Sequence, residues 1–184
     1  MKTVRAAQID PETNAVIGVV TCHEKMLVMP YVVLADDHPL QSPEGWEWSS
    51  EADLLVYTAP AITGDQVQAE RDRRTDAGFT FQGHIFECDA ASRQNISGAA
   101  SLALGAMMQG ALADDFRWNG AADDFAWLSQ GNTAVTMDAP TVFAFGATAA
   151  EHVRSHVFAA RALKDQAAIP ADFKDDSYWP AAGG

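Results

Sequence analysis

Two histidines one helical turn apart, in the run Glu151-His152-x-x-x-His156, have a spacing that can chelate a metal. The glutamate precedes the first histidine, so the run is not the His-Glu-x-x-His arrangement of zinc hydrolases. No third ligand is evident, and His156 falls on an apolar helical seam. The preferred reading is a packed histidine beside an exposed one, with no metal. The acid pairs Asp114-Asp115 and Asp123-Asp124 raise a calcium site and the two carboxylates of a glycosidase. Calcium loops place acids at alternating positions with a glycine, which this stretch does not do; adjacent acids beside turns serve as caps and solvated loop residues. Trp46, Trp48, Trp118, Trp127 and Trp179 could line a carbohydrate site, although core packing and subunit contacts are the commoner uses of tryptophan. Gly-x-Ser-x-Gly does not occur. Gly98 and Gly105 fall inside a helical pattern, without the preceding buried strand of a phosphate loop or dinucleotide fingerprint. The residues nominate no catalytic, cofactor-binding or metal-binding set, and the expected chemistry is non-enzymatic with no cofactor.

Composition narrows the partners. The 184 residues hold 25 acids against 12 Lys and Arg, a net charge of -13, which argues against a nucleic-acid surface. The basic cluster Arg71, Arg73 and Arg74 is interrupted by Asp72 and flanked by Glu70 and Asp76, and reads as a solvated helix face. With 48% hydrophobic residues the chain is expected to fold throughout most of its length. Residues 94–113 carry no charge over a bilayer-spanning length, but Gln94, Asn95, Ser97, Ser101 and Gln109 and the many alanines favour a buried soluble helix over membrane insertion. No signal peptide is expected at the start. Cys22 and Cys88 read as two buried free thiols.

These residues must be positioned by an α+β chain in four parts. Residues 1–63 form a small antiparallel β-rich domain. Strands over 4–9 and 16–22 are joined by the hairpin loop Asp10-Pro11-Glu12-Thr13-Asn14, and further strands are expected over 26–34, 46–48 and 54–58. Residues 64–77 form a connector helix capped by Asp65. Residues 78–168 hold a β-hairpin and two helices. The hairpin turns at Gln82-Gly83 between Phe79, Phe81 and Phe86, and Asp89 caps a helix over 90–113. In that helix Ile96, Ala99, Ala103, Ala106 and Gly110 form one apolar face while Leu102, Leu104, Met107 and Met108 point elsewhere. A helix apolar on most sides must be covered on most sides, and Gly98, Ser101 and Gly105 would let another helix approach closely. The echo Phe116-x-Trp118 and Phe125-x-Trp127 predicts a small hairpin turning at Asn119-Gly120, with 134–136 as a third strand. Asp138 caps a final helix, with Pro140 in its first turn, whose Val142, Gly146, Ala149, Val153, His156, Ala160, Leu163 and Ala167 alternate fours and threes. Residues 169–184 form a tail that is loosely held or laid on another subunit. The expected subunit interface is Ile96, Ala99, Ala103, Met107, Val153, His156, Ala160, Leu163, Tyr178 and Trp179.

Several short motifs in fixed order carry a resemblance. They are Arg74, Gly78 and Phe79; Phe81-x-Gly83-x-x-Phe86; Ser92-Arg93-x-Asn95-Ile96; Phe116-x-Trp118; Val135-Thr136; and His156 with Ala160-Arg161-x-Leu163-Lys164-Asp165. Across residues 73–165 the chain resembles an uncharacterised domain family found towards the C-terminus of bacteriophage and prophage tail-fibre and tail-fibre-assembly proteins. Residues 1–63 look like the short β-rich heads that precede this domain. The resemblance implies a non-enzymatic virion protein of the tail-fibre or distal-tail region, made in the bacterial host cytoplasm, serving fibre assembly or host attachment. Its implied partners are itself, as a trimer, other tail or fibre proteins, and a host surface glycan or receptor. Alternative readings are an assembly chaperone that leaves before the virion matures, and a surface-glycan hydrolase.

Overall fold

The computed structural model describes residues 3–27 and 30–181, in two compact units, Met1–Ala61 and Ile62–Gly184. Both units combine strands, and the second adds three helices, so the chain is α+β.

In the first unit β1 (Thr3–Ile9) pairs antiparallel with β2 (Val16–His23) and with β3 (Tyr31–Val33). Asp10 builds the β1–β2 loop: its carboxylate accepts the N–H groups of Glu12 and Thr13 at 2.8 and 3.0 Å. The strand expected over 26–34 narrows to three residues. Glu24–Met26 is a 3-10 turn, Val28 and Met29 lie outside the described residues, and pairing begins only after Pro30. A second ladder joins β4 (Trp46–Ser49) to β5 (Leu54–Tyr57). An isolated bridge from Ala15 to Glu47 ties it to the β1–β2 hairpin. Ala7, Ile9, Val16, Leu34, Leu40 and Leu55 form the core, with Trp46 and Trp48 against it. Cys22 is half-buried, not buried as expected, because its strand has one open face.

The second unit opens on α1 (Gly64–Asp76). Its cap is Thr63, not Asp65: the Thr63 hydroxyl accepts the Gln66 N–H while the Gln66 side chain accepts the Thr63 N–H. Nor is α1 a mere connector. Val67 is fully buried against Ala160 and Leu163, which makes the helix part of this unit's core. The hairpin of β6 (Phe79–Phe81) and β7 (His84–Phe86) turns at Gln82 and Gly83, both with positive φ, as a two-residue turn requires. Asp89 then caps α2 (Ala90–Met108) by accepting the Ser92 N–H at 2.8 Å. This helix stops five residues short of the expected end, because Gly110 takes a left-handed φ of 99° just past its cap.

Asp114 to Trp127 does not form the expected hairpin. Phe125 N–H donates to the Phe116 carbonyl, but the ladder is β8 (Ala126–Leu128) with β9 (Ala134–Thr136). Asp138 caps α3 (Ala139–Lys164), whose Pro140 sits in the first turn.

The main core lies between the hairpins and the helix pair. Phe79, Phe86, Ile96, Ala103, Met137, Val142 and Phe145 are its buried members. The closest approach of α2 and α3 explains Gly146, since a Cβ there would stand 2.5 Å from the Cβ of Ala100. Gly146→Val is therefore expected to destabilise the unit by about 1–3 kcal/mol, read as a lowered urea midpoint.

Candidate functional site

Three clusters of side chains could serve function. The first centres on Arg74, whose side chain is only 13% exposed. Its Nε donates to Glu70 at 2.6 Å, one Nη to Asp176 at 2.8 Å and the other to the Lys174 carbonyl at 2.6 Å. Its guanidinium also lies 5.3 Å from the Trp179 ring. Glu70, 5% exposed, accepts from Arg73 as well. Bonds from Arg73, and then Arg74, hold its carboxyl well below the usual range, at about 2, against the opposing effect of burial. Of the arginines read as a solvated face, Arg73 is exposed and Arg71 pairs with Asp72, but Arg74 is the joint that clamps the C-terminal tail to α1.

A depressed folded pKa supplies stability above the unfolded pKa and loses it as pH falls through the folded one. Glu70→Gln is expected to cost about 2 kcal/mol at pH 7. The gap between variant and wild type should close as pH falls from about 4.5 towards about 2. Thermal melts of both proteins across that range check it.

The second cluster is the histidine pair. The His152 and His156 rings lie 4.5 Å apart between centroids and are tilted by 58°, with Phe79 beyond His152 and Trp179 beyond His156. His156 is buried, as expected, and its Nδ1 meets the His152 carbonyl at 2.8 Å. His152 is half-buried, not exposed, and its Nε2 meets the Thr75 carbonyl at 3.1 Å. Burial lowers the His152 pKa, against the raising effect of its bond to the Thr75 carbonyl. The pair is thus a packed column between hairpin and tail. Among the described residues no group of three or more His, Cys, Asp or Glu is placed to hold a metal ion.

Of the acid pairs, Asp114 is tied through its backbone, and Asp115 and Asp124 through their carboxylates. Asp138 accepts both the Thr141 and the Asp114 N–H at 2.8 Å, fixing the loop to the start of α3. Asp115 accepts the Arg117 N–H, and Asp124 accepts its guanidinium at 3.0 Å. The tryptophans are packed as well. Trp118 Nε1 donates to the Met137 carbonyl, and Trp127 lies 5.4 Å from Phe145. Trp46 lies 5.2 Å from both His38 and Tyr57.

The third cluster is the surface of the helix pair, and here the expected interface changes sides. Ile96, Ala99 and Ala103 are buried in the main core, with Met107 and Val153 packed against it. Ala160, Leu163 and Trp179 are buried in the core under the tail, with Tyr178 beside them, and His156 is buried next to Trp179. Seven of these ten residues are buried by the chain's own elements, while Met107, Val153 and Tyr178 are half-buried; a regular apolar stripe is the surface that folding buries first. The exposed apolar side chains are different ones. Leu102, Leu104 and Met108 stand out from α2, and Phe143 and Phe158 from α3. Between the helices runs an open groove of about 500 Å³, walled by Ile96, Ala100, Leu104, Phe143, Ala150 and Val153. No helix among the described residues is long and apolar enough to cross a membrane.

A family model described as Domain of unknown function (DUF4376) matches residues 58–178. The match takes in α1 and most of the tail, beyond the span of 73–165 on which the short motifs fall. No curated protein and no solved structure was found to match the chain.

Proposed function

We propose, from the premise that this chain belongs to the family described as Domain of unknown function (DUF4376), that it is a non-enzymatic structural component of a phage tail. It acts in fibre assembly or host attachment, and it does so as a self-associating subunit. The tail setting rests on the resemblance of residues 73–165 to domains of tail-fibre and tail-fibre-assembly proteins.

The observation that supports an assembly role is the face of α2. Leu102 is 70% exposed and Met108 82% exposed on a helix that carries no charge after Arg93, in a chain of net charge -13. Large apolar side chains exposed on a helix segment without charge suit a site of protein association. Asp89 and Asp138 serve as caps, Asp115 and Asp124 as loop ties, Glu70 and Arg74 as the tail clamp, and His152 and His156 as a packed pair.

Mass spectrometry of purified particles tests the proposal. The chain is expected in mature virions at a fixed ratio to other tail proteins. Copurification with immature fibres but absence from particles would replace it with the assembly-chaperone reading.

A further inference from the structure

The first unit holds an open pocket of about 610 Å³, a size suited to a small ligand. Its walls come from the β1–β2 hairpin, from β3 and from β4, and include Ile9, Pro11, Asn14, Pro30, Tyr31 and Trp48. The backbone ties two of these residues together. The Asn14 carbonyl accepts the Trp48 N–H at 2.8 Å, and Asn14 holds a φ of 60°, a left-handed conformation that asparagine tolerates. Trp48 and Tyr31 are both half-buried. Trp46 is closed in by His38 and Tyr57, but among the described residues neither Trp48 nor Tyr31 has an aromatic ring against it. Nor, among the described residues, does the Trp48 indole N–H, the Tyr31 hydroxyl or the Asn14 carboxamide have a hydrogen-bond partner. Two aromatic residues and a carboxamide, all with unpaired polar tips, thus share the wall of one pocket.

We propose that this pocket binds a neutral saccharide. A pyranose ring presents C–H groups on its faces, which lie well on aromatic rings, and hydroxyls around its rim, which both donate and accept. The wall answers both. Trp48 and Tyr31 supply ring surface; the indole donates, and the phenol and the carboxamide each donate and accept. No lining residue carries a charge, so a charged ligand would find no counter-ion, and the net charge of -13 on the chain repels anions. A proline-rich peptide also suits aromatic grooves, but it offers mainly acceptors and would leave the accepting halves of Tyr31 and Asn14 unused. Addition of a peptide strand is disfavoured too. The edge strand β3 is only three residues long and follows Pro30, the form of an edge that resists pairing. Sugar binding here rests on the attachment part of the reading above, gives it a ligand class and is independent of self-association.

Isothermal titration calorimetry of the full chain tests the pocket. Maltotriose, mannotriose, lactose and triacetylchitotriose serve as neutral probes, sialyllactose as an anionic one and decaproline as a peptide. At least one neutral probe is expected to bind saturably. Tyr31→Phe and Asn14→Asp should each weaken that binding about fivefold, the effect of one lost hydrogen bond. Both changes keep the shape of the side chain, and aspartate also tolerates the left-handed φ, so far-UV circular dichroism and melting should be unchanged. Trp48→Ala should weaken binding at least about tenfold; because Trp48 also packs on the core, the two milder variants carry the test if this one does not fold. Binding of a neutral probe that Tyr31→Phe and Asn14→Asp both leave unchanged would overturn this pocket as the site. Failure of every neutral probe, or tighter binding of sialyllactose or decaproline, would overturn the saccharide. Either result, with the chain present in purified particles, would leave the tail reading standing.

Discussion

Replacing Phe145 by alanine is expected to destabilise the second unit by about 3–5 kcal/mol, the range for removing a fully buried ring. Phe145 is 0% exposed on α3, and four aromatic rings close around it. Phe86 lies at 4.8 Å, Phe79 at 5.2 Å, and Phe81 and Trp127 at 5.4 Å. Those rings come from both strands of the β6–β7 hairpin and from β8, so the alanine would leave a cavity where three elements meet. Their backbones are held by ladder pairing, which limits how far they can collapse into it. Phe145→Leu keeps most of the volume and should cost far less. Hydrogen exchange of the α2 and α3 amides reads the difference for this unit alone, which a global melt of a two-unit chain does not.

Trp179→Ala should have the next largest effect, about 3 kcal/mol, concentrated in the tail. The ring is 6% exposed and its Nε1 donates to the Phe173 carbonyl at 2.7 Å. Its removal takes away the surface on which the Arg74 guanidinium and the His156 ring rest. Arg74 would keep Glu70 but lose the geometry that holds Lys174 and Asp176. Limited proteolysis is expected to cut the variant between residues 170 and 181, at protease levels that leave the wild-type chain intact. Trp179→Phe preserves the packing and loses the one hydrogen bond, for about 1 kcal/mol. Equal protease resistance in the alanine variant would show that the clamp at Arg74 holds the tail without the ring.

Local signals were the legible part of this fold. The Gln82-Gly83 turn and the helix caps Asp89 and Asp138 depend on residues within a few positions of each other, so their chemistry is written in short strings. Elements defined by distant partners were not legible in the same way. Thr63 and Asp65 are both good capping residues, and Gln66, by reaching back to the Thr63 N–H, decides between them. The acidic, arginine-rich face of α1 looked solvated because Asp176, the partner of Arg74, lies 102 residues away. Phe116 and Phe125 do share a hydrogen bond, but strand pairing went to 134–136, a choice made by packing on Phe145 and Met137. The candidate site was legible by half. Periodicity found the two apolar stripes of the helix pair, and both are real. Which stripe a chain buries against itself depends on neighbours that periodicity does not contain. Gly98 and Gly105 read as room for another helix, and a Cβ at either meets no atom within 4 Å.

The proposed function stands on self-association of the chain. The most direct measurement is the mass of the full-length protein in solution by sedimentation equilibrium over a range of micromolar concentrations. The predicted result is a concentration-dependent species heavier than the 19.7 kDa of the single chain. A single species of 19.7 kDa at every concentration would contradict the account.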